Sequence, residues 1–242
     1  MSGFYFGRTS STPPVVKNLI IINVVIYVLY WILGRSGLIN LNGILGMFYF
    51  QSPFFQPWQI VTHMFMHGSL MHIFFNMWAL WIFGKTLESV WGGKRFLIYF
   101  FVTGLGAAFL HQLVQYAELA STVNAVKEQY GFNTITYERL AELRSTTPGL
   151  YQALRTPTVG ASGAVFGILL AFGMLFPNTP LFIIPFPFPI KAKWLVIGYG
   201  ALELYLGVTQ PGSNIAHFAH LGGMIFGFFL IKYWNKTSNR FY

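Results

Sequence analysis

From Ser36 to Gly84 the chain runs for 49 residues without a single Asp, Glu, Lys or Arg. A water-soluble fold cannot hide a segment of that length, because most of its outer surface needs solvated polar groups. The whole sequence has the same bias. Of its 242 residues 9% are charged, 55% are hydrophobic and 19% are aromatic, against roughly 25% charged in an average soluble domain. Mean hydropathy is +0.55. Disorder, coiled coils and collagen are excluded by this composition. An all-α polytopic membrane protein is predicted, since a helix satisfies its own backbone inside lipid. Six helices of about 20 residues would occupy roughly 120 residues, half the chain.

The apolar runs and their breaks place the spans. Residues 1–17 are read as a cytoplasmic N-terminal segment, 18–234 as the six-span domain and 235–242 as a cytoplasmic tail. Span one is Asn18 to Gly34. The first outer loop, about 36–68, is broken by Gly43, Gly46, Pro53, Pro57 and Gly68, and its Phe48, Tyr49, Phe50, Phe54, Phe55 and Trp58 suit a membrane interface. Span two is Ser69 to Gly84, and span three is Phe96 to about Tyr116. Residues 118–155 hold four of the six Glu and four basic residues, and are read as a helical insertion outside the membrane. Span four runs from about Thr158 to Phe176 and is followed by Pro177, Pro180, Pro185, Pro187 and Pro189. Span five is Trp194 to Val208, and span six is Asn214 to Trp234.

The net charge of +9 comes from basic residues scattered between apolar runs, a distribution that argues against a nucleic-acid partner. With the N-terminus inside, ten of the fifteen Lys and Arg fall on cytoplasmic segments, so both termini are predicted to be cytoplasmic. Met1 to Lys17 is polar, so no cleavable leader is expected, and a bacterial inner membrane is the expected location. The sequence has no Cys, which removes disulfides and thiolate metal sites. It also has no Asp.

Polar groups inside the membrane are costly and mark functional sites. Three clusters qualify: His63, His67, His72 and Asn76 around the start of span two; Gly160 to Gly167, containing Ser162, in span four; and His217 and His220 at the start of span six. Spans two, four and six run from outside to inside, so all three clusters fall at one depth. Ser162 is expected about four residues into its helix and His220 about six, roughly 6–9 Å below the outer surface. His220, Gly223 and Gly227 share one face of span six, while Gly163 and Gly167 form a small-residue pair on span four. A close crossing of those two helices would bring Ser162 to His220. A neutral imidazole can take the serine proton and activate the hydroxyl as a nucleophile. The usual carboxylate partner of the imidazole would have to be Glu203 or be missing, and a Ser-His dyad is expected. Backbone N–H groups near Ser162, together with His72 and Asn76, are candidate oxyanion donors.

These residues carry a family resemblance. The His67-x4-His72-x3-Asn76 run, the Gly160-x-Ser162-Gly163 run and the Ala219-His220-x2-Gly223-x3-Gly227 run occur in the order, and on the spans, of the rhomboid intramembrane serine proteases, which this chain resembles. The resemblance covers spans one to six and leaves out the insertion. It implies a six-transmembrane-helix rhomboid-like bundle with an interfacial first outer loop. Ser162 then falls on the nucleophile and His220 on the base, and His72 and Asn76, with Gly160 and Ala161, fall on the oxyanion and substrate site; His217 and His67 support them. The implied substrates are transmembrane proteins, met within membrane lipids, with no cofactor and no metal. Many members carry Trp-Arg in the first outer loop, where this chain has Trp58-Gln59.

Bland roles compete with these. Ser162 can be a packing serine, and His72 and Asn76 can be interhelical hydrogen bonders. His217 competes with His220 for the base. His63 and His67 can simply hold the loop, His111 reads as a satisfied core histidine, and Glu88 reads as a local cap or pair. Rival functions are a His-ligated metalloenzyme and a non-catalytic binder of transmembrane clients. The sequence carries no sign of oligomeric state.

Overall fold

The computed structural model describes residues 11–131, 133–182, 188–210 and 216–237. The chain termini, the breakers Pro185 and Pro187, and the expected start of span six at Asn214 lie outside them. The first helix, α1 (Pro14–Arg35), starts on proline, which needs no N–H partner at that position. Its free N-terminal amides find an acceptor far away in sequence. Glu88 takes the Val15 N–H at 3.0 Å and the Val16 N–H at 2.7 Å. Glu88 is therefore a long-range cap on α1 rather than a local partner, because the helix that carries it, Lys85–Trp91, packs against the start of α1.

The outer loop carries two short helices, α2 (Leu41–Leu45) and α3 (Gln59–Thr62), and a 3₁₀ turn, His63–Phe65. Gln59 is fully buried and acts as the loop's internal bracket. Its Nε2 donates to Gly43 O at 3.2 Å and Phe54 O at 3.1 Å, and its Oε1 accepts from Gln56 N at 3.0 Å. Trp58 Nε1 donates to Ile44 O at 2.9 Å. The Trp-Gln pair thus anchors this loop with neutral hydrogen bonds.

The segment expected as span two, Ser69 to Gly84, forms α4 (Leu70–Ala79) and a π-turn (Leu80–Gly84), and continues into α5 (Lys85–Trp91). Helix α6 (Gly93–Tyr130) has 38 residues, about 57 Å at 1.5 Å per residue. That is nearly twice the roughly 30 Å hydrocarbon thickness. The expected span, Phe96 to about Tyr116, lies within this one helix, which runs on into the insertion. The sequence from Ala117 to Tyr130 contains no Gly or Pro, and the helix continues until Gly131, whose φ of 67° ends it. The upper part of α6 folds against α7 (Tyr137–Thr146) and α8 (Pro148–Arg155). Val123, Val126, Leu140, Leu143, Leu150 and Leu154 form a small core there that also encloses Tyr49 of the first loop. Ser52 Oγ donates to Leu154 O at 2.7 Å and Tyr137 OH to Pro53 O at 2.7 Å. The insertion is thus a helical cap fastened to the first outer loop.

Helix α9 (Ser162–Leu175) leads to a two-stranded antiparallel contact of β1 (Pro180–Leu181) with β2 (Ile190–Lys191), and then to α10 (Ala192–Thr209) and α11 (His217–Thr237). The centre of the molecule is α6, α9 and α11 packed on one another. Small residues make that possible. A Cβ on Gly223 would overlap the Gly163 carbonyl, and one on Gly163 would overlap Ala107. Large apolar side chains point outward instead, including Trp31, Phe74, Tyr205 and Phe229. Small-inside, large-outside is the pattern of helices packed in lipid.

By length and apolarity two helices qualify as spans, Pro14–Gly34 and Gly93–Tyr130, and Ser162–Leu175 is a shorter apolar helix. The other expected spans fall short for physical reasons. The π-turn divides span two, and α10 and α11 carry Lys193 and Glu203, and His217, His220, Lys232 and Lys236.

Candidate active site

Three helix N-termini meet at one place. Ser69 caps α4 by accepting the His72 N–H at 3.2 Å, which puts His72 in the first turn and Asn76 one turn below. Ser162 opens α9, rather than lying a turn inside it as the apolar run suggested. The reason is long-range: the chain before it is held extended by the first loop. Met47 and Thr158 exchange backbone hydrogen bonds at 2.9 and 2.8 Å, and Gly160 N donates to His63 O at 2.9 Å. Gly160 has φ 131°, and a Cβ there would lie 2.8 Å from His72 Cε1, so only glycine fits between the two clusters. Ala161 is fully buried, and its carbonyl accepts the Val165 N–H at 2.9 Å. The N–H groups of Ser162, Gly163 and Ala164 precede that first bond and have no intrahelical acceptor.

His220 lies in the first turn of α11, and its Nε2 is 2.9 Å from Ser162 Oγ. The Phe166 ring, one turn after Ser162, stacks on the imidazole at 4.2 Å with planes 5° apart. His217 does not reach the serine in this way; its Nδ1 bonds Glu203 Oε2 at 2.7 Å. The same oxygen is 3.0 Å from His220 Nδ1. Of the two histidines competing for the base, His220 is the one paired with Ser162.

A cavity of about 1200 Å³ opens over these groups, lined by Ser162, His220, His217, His72, Asn76 and Gly160. Asn76 is buried (6% exposed), and its Nδ2 has no acceptor among the described residues. His67 and Ala161 are not among the lining residues. The His67 ring backs His72 edge-on at 4.9 Å. His63 Nδ1 is held by Gln59 O at 2.9 Å. His111, expected to be a satisfied core residue, is satisfied by Thr158 Oγ1 at 2.9 Å but also lines the cavity. Gly149, Gln152 and Ala153 of the cap line it too. Sequence reasoning assigned no role to Phe166 or to the cap residues. Phe166 had a usable signal, being four residues, one helical turn, from Ser162.

Fold and site together define a helical bundle, apolar on its outside, that holds a hydrogen-bonded Ser-His pair in the wall of a large cavity. The Rhomboid domain matches residues 55–236, and the chain belongs to the rhomboid family, whose members are integral membrane proteins. It is 29% identical over 209 residues to RHOMBOID-like protein 12, mitochondrial, of Arabidopsis thaliana, covering 86% of this chain and 55% of the relative. It is 25% identical over 185 residues to Rhomboid protein 1, mitochondrial, of Saccharomyces cerevisiae, covering 75% and 44%. It is 25% identical over 230 residues to Rhomboid protease GlpG of Yersinia pestis, covering 95% and 66%. The chain thus spans about half to two thirds of the length of these relatives. Two of the three carry mitochondrial names, so the expected bacterial inner membrane gains no support from them.

Proposed function

We propose that this protein is an intramembrane serine endopeptidase that cuts transmembrane protein substrates. The observation that carries the reading is the 2.9 Å contact between Ser162 Oγ and His220 Nε2 in the wall of a cavity of about 1200 Å³. Membership of the rhomboid family, typically intramembrane serine proteases, supports it, as does the printed name of the Yersinia relative.

A helical substrate hides its carbonyls in its own hydrogen bonds, so a cleavable segment must unwind before attack. The Ser162 proton passes to His220 Nε2 while Oγ bonds to the exposed carbonyl carbon, whose π electrons move to the oxygen. That oxyanion is met by the free first-turn N–H groups of α9, by Asn76 Nδ2 and by the His72 ring. His220 then gives the proton to the departing amine as the C–N bond breaks. Water attacks the acyl-enzyme along the same route and regenerates Ser162.

In this reading α1, α4–α5, α6, α9, α10 and α11 are the six spans. Both termini share one side, and the site opens to the other beneath the cap. The test is cleavage of single-span reporters, bearing Gly, Ala or Pro near the outer end of their helix, in proteoliposomes. Wild type is expected to cut within or beside the span, and Ser162→Ala to leave the reporters whole. A wild type that binds reporters without cutting them is instead a non-catalytic client binder.

A further inference from the structure

Glu203 is one of two acids lying outside the charged insertion and its flanks, and α10 turns it inward. Ala192, Val196, Glu203 and Gly207 form the buried face of that helix. Gly207 lets α11 approach, since a Cβ there would stand 3.1 Å from Phe218 and 3.3 Å from His217 Cβ. The carboxylate is thereby delivered, 7% exposed, between two imidazoles. Its Oε2 lies 2.7 Å from His217 Nδ1 and 3.0 Å from His220 Nδ1. The first contact is an aligned hydrogen bond. The second has hydrogen-bond length but lies off the ring N–H direction, a looseness common in resting sites that tighten during reaction.

We propose that Glu203 is a positioning residue for His220: it holds the imidazole with Nδ1 protonated, so that Nε2 is free to take the Ser162 proton, and it steadies the imidazolium that results. The proposal rests on the serine endopeptidase reading and deepens it from a pair to a relay of three groups. During attack the Oγ proton moves to Nε2 and later to the leaving amine, while the Nδ1 proton stays on His220 facing Glu203. The carboxylate never gains it, and its contribution is electrostatic and orientational.

Two plainer roles compete. Glu203, His217 and His220 also form a donor set whose ligand atoms lie within 4.8 Å of one another. Donors on a tetrahedral zinc ion at about 2.0–2.1 Å stand about 3.4 Å apart, whereas 2.7 and 3.0 Å are direct N–H···O distances. The second plainer role is that Glu203 only packs α10 on α11 through His217. In that case loss of His217 would cost as much as loss of Glu203.

The experiment measures fluorophosphonate labelling of Ser162 in the detergent-purified full chain, separating the affinity for the probe from the rate of the covalent step. Glu203→Gln is expected to slow the covalent step by about 10- to 10³-fold, less than the ~10⁴-fold of a fully aligned triad carboxylate, with probe affinity and thermal midpoint nearly unchanged. Glu203→Asp should keep more of the rate than Glu203→Gln, and His217→Ala should cost less. Labelling of Glu203→Gln at the wild-type rate, or equal losses in Glu203→Gln and His217→Ala, overturns the proposal while leaving the protease reading intact. No labelling of wild type overturns the protease reading itself. Should the Glu203 variants not fold, ¹⁵N-histidine NMR of wild type decides, with His220 assigned by its loss in His220→Gln: an Nδ1-protonated ring is expected, and an Nε2-protonated one overturns the proposal.

Discussion

Asn76 shows how a single side chain can be poised for a reaction. It is buried, it lines the cavity, and its Nδ2 finds no acceptor among the described residues. A donor left unpaired in a buried place costs free energy at rest, and the cost is offset if the group is paired in the transition state. Asn76→Ala is accordingly expected to lower turnover by about 10²–10³-fold, the usual loss for one oxyanion donor, with substrate affinity nearly unchanged. Steady-state kinetics on a cleavable reporter checks this, and an unchanged turnover removes Asn76 from the mechanism. His67, His72 and Asn76 were legible in the sequence because imidazoles and amides are conspicuous in an apolar span. Glu203 was visible but could not be placed, since nothing in the spacing along α10 shows which imidazole its carboxylate meets. Phe166 escaped because its one signal, a spacing of one helical turn from Ser162, is easily lost among 26 Phe.

At the scale of the elements, the site depends on how closely α9 and α11 cross. Glycine spacing alone pointed to that crossing, and the structure brings Gly223 against the Gly163 backbone so tightly that a Cβ would overlap its carbonyl. Gly223→Ala must push the helices apart just below the Ser162–His220 contact. Overpacking of this kind typically costs about 1–3 kcal/mol. The expected outcome is a lower thermal midpoint together with slowed labelling of Ser162; a variant with wild-type labelling would show that the crossing does not set the pair's geometry. Helix starts were less legible than helix faces. Thr158 to Ser162 is apolar enough to read as span, but its backbone is taken by Met47 and His63, a long-range competition that no local pattern records. The end of α6 at Tyr130 lies beyond the expected span three, because the polar segment after Tyr116 is made of good helix formers and carries no Gly or Pro.

For the whole molecule, the insertion proves to be a roof. It shares a core with Tyr49 of the first loop, is tied to that loop by Ser52 and Tyr137, and contributes Gly149, Gln152 and Ala153 to the cavity wall. Its charge marked it as extramembrane, but its docking surface was invisible in sequence since it is built by two segments some seventy to a hundred residues apart. Leu143→Ala, which hollows the cap core, is expected to destabilise that unit by about 2–5 kcal/mol. Hydrogen exchange should then rise across Tyr137–Arg155 while α9 and α11 keep their protection. Equal loss of protection in all of these would mean that cap and bundle unfold as one.

Proteolysis at this site requires that Ser162 be activated by His220. The most direct measurement is fluorophosphonate labelling of the detergent-purified full chain, with the adduct located by mass spectrometry, in wild type, Ser162→Ala, His220→Ala and His217→Ala. An adduct on Ser162 is expected in wild type, none in Ser162→Ala or His220→Ala, and a surviving adduct in His217→Ala. Labelling that persists in His220→Ala and disappears in His217→Ala would make His217 the base, and a folded wild type that takes no label would mean that Ser162 is not activated.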